Sequence, residues 1–226
     1  MTYAERPAAR AGVVLWRSSA PAEPARQPSL ILPDGCLDLL WDGKTLRVAG
    51  PDTKAHLHVP RGDENFVALR FAAATGPAAL GISAAEVVDQ YVPLADLWGT
   101  RRAWLLEEQI AQGGAAALEQ WLLTAPAPAD PLGGNVFRMA QTGLPVAEMA
   151  EHTGFSARQL QRRSKELFGY GPGHLLRVLR LQRALARARA GQPLAGVAAD
   201  AGYCDQAHLS REVRALTGRT PGELVS

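Results

Sequence analysis

The chain has 226 residues, of which 47% are hydrophobic and 20% are charged, and its formal net charge is +2. No apolar run approaches the roughly 20 residues that a transmembrane helix needs, and the first residues lack a basic stretch followed by an apolar core. We therefore expect a cytoplasmic protein without a membrane segment. The two cysteines, Cys36 and Cys204, lie far apart and outside any Cys/His cluster, which argues against a disulfide framework or a zinc knuckle.

Short apolar runs separated by turn residues make up the region 12–72. The runs occupy 13–16, 30–32, 36–41, 46–48 and 66–71. The pairs Asp34-Gly35 and Asp42-Gly43 between them are typical of turns that connect strands. This pattern predicts a small β-sheet or β-barrel.

After Gly76 the sequence becomes typical of helices. The candidate helices occupy 77–80, 84–91, 101–112 and 115–123. We expect the last two to form an antiparallel pair that packs on the sheet or on a second subunit.

Two histidines in the first half suggest a metal site. His56 and His58 would lie on one face of a strand, as in metal-binding barrels, with Asp63 or Glu64 as further ligands. No Ser/His/Asp or Cys/His combination has a recognisable catalytic pattern. We therefore predict no catalytic residue, no metal and no cofactor, and the question of metal binding by the two histidines stays open.

A stretch rich in proline, alanine and glycine at 125–134 divides the chain into two halves of opposite charge. Residues 133–226 carry 13 basic and 7 acidic side chains, a net charge of +6, whereas residues 1–132 carry 11 and 15, a net charge of −4. Basic side chains that neutralise phosphates supply the sequence-independent part of DNA affinity. The asymmetry fits a DNA-binding half joined to a half with another partner, although a solvated charged face explains it equally well.

The basic half contains an internal repeat. A first segment recurs at an offset of 48 residues, and after one extra residue in the second copy the match continues at an offset of 49. The matched pairs are Pro145/Pro193, Ala147/Ala195, Ala150/Ala198, Gly154/Gly202, Phe155/Tyr203, Ser156/Asp205, Leu160/Leu209, Arg162/Arg211, Leu167/Leu216, Gly169/Gly218 and Pro172/Pro221.

Each copy is interpreted as helix, turn and helix. The proline is expected at the first helical position of the first helix, and the glycine just past its end, where a left-handed cap favours glycine. Ser156 or Asp205 then caps the second helix by accepting backbone N–H bonds. The second helices are predicted at 157–168 and 206–217, and a helix of about 24 Å over 175–190 would hold the two copies apart.

The outward faces of the two second helices carry side chains that can pair with base edges or phosphates. A solvated amphipathic helix would explain one such face. Two copies, each preceded by a tight glycine turn, favour recognition helices that enter the major groove. The side chains are Arg158, Gln161, Arg162 and Lys165 in the first copy, and Gln206, His208, Ser210, Arg211 and Arg214 in the second.

These motifs resemble the AraC/XylS family of bacterial transcription regulators over about 135–225. The segments 146–150, 154–156, 158–162 and 169–172 are similar to the family's first helix-turn-helix, and 198–203, 205–211 and 217–221 to its second unit and closing signature. The resemblance implies that Arg158, Gln161 and Arg162 read the first groove. It implies that Ala207, His208 and Arg211 read the second, with Gln206 and Ser210 beside them. Ala207 departs from the polar residue often found there and offers only a methyl contact.

The first half resembles a sensor-type domain of unknown function that precedes some regulators of this family, on the segments 32–39 and 92–99. The resulting prediction is an α+β protein: a sensor or dimerisation domain at 1–125, a linker at 126–134 and an all-α double helix-turn-helix at 135–226. It would bind double-stranded DNA as a transcription regulator and would not be an enzyme.

Other partners stay open at this point. An effector bound to the first half, RNA polymerase and a second copy of the chain are all compatible with the sequence. The alternative is a metal-binding or enzymatic N-terminal domain tethered to a DNA-binding module. In a third hypothesis, the first half binds no ligand and provides only a surface for dimerisation or for contact with RNA polymerase.

Overall fold

Strands dominate the first half of the chain. The computed structural model describes residues 2–19, 28–60 and 64–225. The strands in these residues are β1 (Thr2–Pro7), β2 (Val13–Ser19), β3 (Ser29–Ile31), β4 (Leu37–Trp41), β5 (Leu46–Ala49), β6 (His56–His58), β7 (Asn65–Phe71) and β8 (Tyr91–Pro93).

Six of these strands form one antiparallel sheet in the order β1-β2-β7-β4-β5-β8, and β3 pairs with β6 in a separate ribbon. Among the described strands, β1 and β8 each pair on one side only, so the sheet is open. The predicted α+β class and the strand-rich region 12–72 are confirmed. Strands β1 and β8 lie outside that region and were not predicted.

Because successive side chains along a strand point to opposite sides, the sheet has two different faces. One face packs against the helices of the first half through fully buried side chains such as Leu39, Val48 and Leu69. The other carries a smaller apolar cluster around Trp16 and Leu40. The sheet therefore has a principal core on its helical side.

The first half contains three short helices followed by one long helix. They are α1 (Gly76–Leu80), a 3-10 helix (Ala84–Glu86), α2 (Leu94–Trp98) and α3 (Thr100–Thr124). The predicted helix 84–91 is wrong beyond its first turn. Asp89 adopts a positive φ of 55°, and its carboxylate accepts hydrogen bonds from the backbone and hydroxyl of Thr53, so the chain leaves the helix and enters β8.

Helix α3 contains a reversal of chain direction, at the boundary between the predicted helices 101–112 and 115–123. Gly114 has φ 57° and ψ −139°, which interrupts the helical backbone. The rings of Trp98 and Trp121 lie 6.0 Å apart although more than 20 residues separate them. The two parts of α3 therefore run antiparallel, and Leu106, Ile110 and Leu118 point into the principal core.

The second half is helical throughout its described residues. It comprises α4 (Leu132–Thr142), α5 (Val146–Thr153), α6 (Ala157–Phe168), α7 (Pro172–Arg189), α8 (Leu194–Ala201), α9 (Gln206–Thr217) and a closing 3-10 helix (Gly222–Leu224). Helices α6 and α9 have the predicted bounds. Helix α4 begins inside the segment predicted as a linker, and Pro145 and Pro193 are N-caps of α5 and α8, one position before the predicted one.

Two apolar cores stabilise this half, one per repeat. Leu160, Phe168 and Val178 belong to the first, and Leu185 and Val213 to the second. The first core also contains Ala73 and Ala74, which follow the last long strand of the sheet. The two halves of the protein therefore share part of a core.

One close backbone approach in the sheet domain yields a stability test. A Cβ added to Gly50 would lie 1.7 Å from the carbonyl oxygen of Val87. We expect Gly50→Ala to lower the free energy of unfolding by about 3 kcal/mol or more, because the backbone itself must move. Gly43→Ala is the control. Gly43 has φ +93° with nothing near its Cβ position, so only a strain of about 1–2 kcal/mol is expected. Equal losses in chemical denaturation would contradict this account.

Candidate nucleic-acid interface

The turn before each second helix has the predicted geometry. Gly154 and Gly202 adopt left-handed conformations with φ of 70° and 83°. Their N–H groups and those of Phe155 and Tyr203 bond back to carbonyls of the preceding helix. The glycines thus end α5 and α8 abruptly and direct the chain into α6 and α9.

The N-terminal caps of the two second helices are also confirmed. The Ser156 hydroxyl accepts a hydrogen bond from the Gln159 N–H, and the Gln159 side chain accepts one from the Ser156 N–H, which is a capping box. Asp205 accepts the His208 N–H at 2.6 Å. These contacts fix where α6 and α9 begin and therefore which side chains face outward.

The outward face of α6 presents free cationic groups. Arg158, Arg162 and Lys165 are exposed, and none of them forms an ion pair or hydrogen bond with another described residue. Arg163, next to them, is bound instead to Asp130 and Glu166. The arginines at 158 and 162 are therefore available to an external partner, whereas the one at 163 is structural.

Gln161 has a position that the sequence did not indicate. Its amide lies against Gly171, so close that a Cβ added there would be 2.2 Å from the amide atoms. The side chain is exposed but lies back on the start of α7. Glycine at position 171 leaves the room for this arrangement.

The outward face of α9 is less basic. Arg211, Gln206 and Ala207 are exposed, and Arg211 has no partner among the described residues. The hydroxyl of Ser210 donates to the Gln206 carbonyl of the same helix at 2.9 Å. Arg214 is exposed as well, so this face offers two guanidinium groups, an amide and a methyl group.

His208 has a defined orientation on α9. Its Nδ1 accepts a hydrogen bond from the Cys204 N–H at 3.2 Å, and its ring packs edge-on against Tyr203 with centroids 5.3 Å apart. Because Nδ1 accepts, the neutral ring carries its proton on Nε2, which is then a donor. Cys204, whose N–H makes this contact, is exposed.

Four of the five arginines of α7 are structural. Arg177 donates to Glu212 of α9 at 2.9 Å, and Arg187 to Asp200 of α8 at 3.0 Å. Arg180 lies over the Tyr203 ring with its guanidinium carbon 4.6 Å from the centroid. Arg183 donates to the Gln141 carbonyl of α4 at 2.8 Å. These contacts bind α7 to the second repeat and to α4, which shares the core of the first repeat, and so hold the repeats in one arrangement.

A comparison with protein families matches residues 138–226 to the family described as "Helix-turn-helix domain". The chain carries an AraC-type helix-turn-helix domain. Residues 13–93 match a second family, described as "Domain of unknown function (DUF6597)". The AraC-type domain supports a DNA-binding transcription regulator. A comparison with curated proteins gives no match.

Solved structures similar to this chain include two of ToxT from Vibrio cholerae and one of XylR. Apo ToxT K231A shares 10% identity over 96% of this chain and 97% of that chain, with a TM-score of 0.49. ToxT with a bound unsaturated fatty acid shares 8% over 97% and 96%, with a TM-score of 0.48. The xylose-binding transcription activator XylR shares 18% over 51% of this chain and 38% of that chain, with a TM-score of 0.38.

The sheet domain contacts the connecting helix α7 and the second repeat of the AraC-type domain. The Thr53 carbonyl is 3.0 Å from Nε2 of His174 at the start of α7, and the Gln182 amide donates to the Pro33 carbonyl at 2.6 Å. The Ala55 N–H donates to the carbonyl of Leu216 in α9 at 2.7 Å. The loop between β5 and β6 therefore reaches the second recognition helix directly.

His56 and His58 lie on the same face of β6, as predicted, but each faces its own carboxylate. His56 Nδ1 is 3.4 Å from Asp52, and His58 Nε2 is 3.2 Å from Glu64. Among the described residues, no group of three or more His, Cys, Asp or Glu side chains could hold a metal. Asp63 lies outside the described residues. No helix in the described part of the chain is long and apolar enough to cross a membrane.

Asp52 lies in the loop between β5 and β6, in an environment that disfavours its charged form. Burial raises its pKa to about 6, and the pKa is raised further by the nearby carboxylates of Asp89 and Asp34, while His56 opposes the rise. Because the folded state holds this proton more tightly than the unfolded chain, its stabilising effect is present below pH 4 and is lost as the pH rises through 6.

Asp52→Asn tests this environment. The variant keeps the shape of the side chain and never acquires the charge, so we expect it to raise the unfolding midpoint relative to the natural protein at pH 7.5 and much less at pH 4. The raised pKa corresponds to at most about 3 kcal/mol. Asp96→Asn, at an exposed carboxylate that forms no ion pair with another described residue, is the control. A gain for Asp52→Asn that is the same at both pH values would contradict the assigned cause.

Proposed function

We propose that this protein is a sequence-specific transcription regulator whose α6 and α9 read two successive major grooves. The observation that carries the proposal is the pair of capped helices with free polar N-terminal turns. Both follow the same glycine turn, and both are held by one connecting helix. This is the geometry by which helix-turn-helix units present a recognition helix to base edges.

The two recognition helices have different roles in this proposal. On α6, Arg158 and Arg162 suit guanine, whose O6 and N7 accept two parallel hydrogen bonds from a guanidinium. Lys165, one turn further on, suits a phosphate. Gln161 must leave Gly171 to reach a base, so its contribution costs a rotamer change.

Helix α9 makes fewer direct contacts with bases in this proposal. Arg211 supplies a guanidinium, and the Nε2–H of His208 donates to an acceptor such as guanine N7 or thymine O4. Gln206 stands at the first position of the helix, and Ala207 offers a methyl contact to thymine. Ser210 bonds to its own helix and is the weakest candidate.

The connecting helix sets the separation between the two readers. Helix α7 has 18 residues and is therefore about 27 Å long. Successive major grooves on one side of the duplex are about 34 Å apart. Two readers held rigidly at this distance would engage a straight site imperfectly, so we expect the site to bend toward the protein.

Effector control through the sheet domain is the second part of the proposal. The loop that carries Thr53 and Ala55 contacts the start of α7 and the end of α9. A ligand that moved this loop would change how the second unit is held, and so change DNA affinity. RNA polymerase and a second copy of the chain are further proposed partners.

Arg162→Ala and Arg211→Ala test the recognition helices. Each should weaken binding to the preferred DNA site by about 1–3 kcal/mol, because each removes a bidentate contact. Arg101→Ala is the matched control, since it removes the same charge from an exposed arginine of α3, outside the helix-turn-helix half. Fluorescence anisotropy at fixed salt measures the affinities. If neither variant differs from Arg101→Ala, the assignment of α6 and α9 as readers is wrong.

The salt dependence gives an independent test. Since phosphate contacts release counterions, the logarithm of the association constant should fall steeply and linearly with the logarithm of salt concentration. Lys165→Ala should reduce the slope by about 1 if Lys165 contacts one phosphate. A flat dependence in the unsubstituted protein would argue against DNA as the partner.

A further inference from the structure

The amide of Gln161 on α6 lies against the backbone at the start of α7. Gly171 is the residue that precedes α7. A Cβ added to it would lie 2.2 Å from both Nε2 and Oε1 of Gln161 and 2.5 Å from the amide carbon between them. Since the two outer atoms are equally close and the carbon is farther away, the amide points head-on at Gly171. We call the space above the Cα of this glycine the Gly171 recess, and the head group of Gln161 occupies it.

The Gly171 recess exists because residue 171 has no side chain. The backbone of Gly171 has φ −74° and ψ 166°, an extended conformation that any residue adopts, so the backbone itself does not require glycine. A serine or an aspartate could cap α7 here, as Ser156 and Asp205 cap α6 and α9, whereas Gly171 provides no side-chain cap. What the glycine contributes at this position is therefore room for the amide of Gln161.

Packing alone holds the amide in the recess. Gln161 forms no hydrogen bond with another residue that the structure describes, and its side chain is exposed. A single pair of atoms in contact contributes little, so little is lost when the side chain rotates outward. The withdrawn and outward conformers of Gln161 are therefore close in free energy, and a small change at position 171 redistributes them.

We propose that Gly171 is a specificity-determining residue of the first reader: it lets Gln161 withdraw from DNA, so that the base opposite this side chain is read only when the amide leaves the recess. A glutamine recognises adenine through both amide atoms, since Oε1 accepts from N6 and Nε2 donates to N7. Both atoms face Gly171 in the withdrawn conformer. Arg158 and Arg162 are exposed, so the first reader has two constant contacts and one conditional contact. This inference rests on the function proposed above.

Gly171 lies between two residues that contact the sheet domain. The hydroxyl of Tyr170 is 3.4 Å from the position of a Cβ added to Gly35, and Nε2 of His174 is 3.0 Å from the Thr53 carbonyl oxygen. The rings of Tyr170 and His174 lie 4.7 Å apart. A change in the position of the sheet domain would move the backbone on both sides of the recess and alter the balance between the withdrawn and outward conformers. In this way the sheet domain would influence which base the first reader prefers.

Selection from a random pool of duplex DNA by the full chain tests the proposal. Gly171→Ala fills the recess, and the atoms nearest to its Cβ all belong to the flexible end of Gln161, so the side chain is displaced outward. We expect one position in one selected segment to gain a preference for adenine. Affinity for that site, measured by fluorescence anisotropy, should rise about two- to tenfold, which corresponds to a withdrawn conformer populated at about one half to nine tenths in the unsubstituted protein.

Three further variants make the test specific. Gly173→Ala is the matched control, because a Cβ at this exposed position in the first turn of α7 has nothing within 4 Å, and it should select the same sequences as the unsubstituted protein. Gly171→Ser fills the same space and adds a hydroxyl that can cap α7, so it should give the same gain without lowering the unfolding midpoint. Gln161→Ala combined with Gly171→Ala should abolish the gain.

Nuclear magnetic resonance observes the two conformers directly. In the protein without DNA, the side-chain amide protons of Gln161 should show a nuclear Overhauser effect to the Hα protons of Gly171. In the complex with the adenine-containing site, this effect should be lost. An effect that is present in both states, or absent without DNA, would contradict the proposal.

Selected sequences that are the same for Gly171→Ala, Gly173→Ala and the unsubstituted protein would overturn the proposal, as would an adenine preference that persists without Gln161. These failures are separate from failure of the proposed function. If the unsubstituted protein selects a site that depends on Arg162 and Gly171→Ala changes nothing, only this inference is wrong. If the unsubstituted protein selects no sequence, the proposed function is wrong and this inference fails with it.

Discussion

The contacts of the α7 arginines with the helices on either side hold the DNA-reading half in one shape. Arg183 reaches a carbonyl of α4, which shares the core of the first unit, while Arg177 and Arg187 bind carboxylates of α9 and α8 in the second. A connecting helix alone would fix only a distance, because each unit could still rotate about its end. Ion pairs and carbonyl contacts on both sides also fix the rotation. The proposed reading of two grooves by one chain depends on that rigidity.

The two repeats share a backbone geometry and differ in their surface chemistry. Both first helices end at a left-handed glycine, and both second helices begin at an oxygen-bearing cap. Helix α6 then presents two arginines and a lysine, whereas α9 presents two arginines, an oriented imidazole and a methyl group. The sheet domain contacts the end of α9 through Ala55. The unit with the weaker base-reading surface is thus the one whose recognition helix ends at the loop of the sheet domain.

Local signals predicted the helix-turn-helix units well, because caps and left-handed glycines depend on a few neighbouring residues. No comparable local signal exists for partners that are distant in the chain. The α7 arginines form an apolar-flanked basic stripe in sequence, and only the fold shows that they are bound to Glu212, Asp200 and backbone carbonyls. Gln161 is polar and correctly placed, yet it packs on Gly171. Strand β8 was missed because the turn at Asp89 depends on Thr53, which is 36 residues earlier.

The most direct test of the central claim is the selection of bound sequences from a random pool of duplex DNA by the full chain. The account predicts two preferred segments whose centres are about one helical turn apart, roughly 10–11 base pairs, with the stronger preference in one of them. Arg162→Ala should erase the preference in one segment and Arg211→Ala in the other. A single preferred segment, or a loss of both segments in each variant, would contradict two rigidly held readers with separate sites.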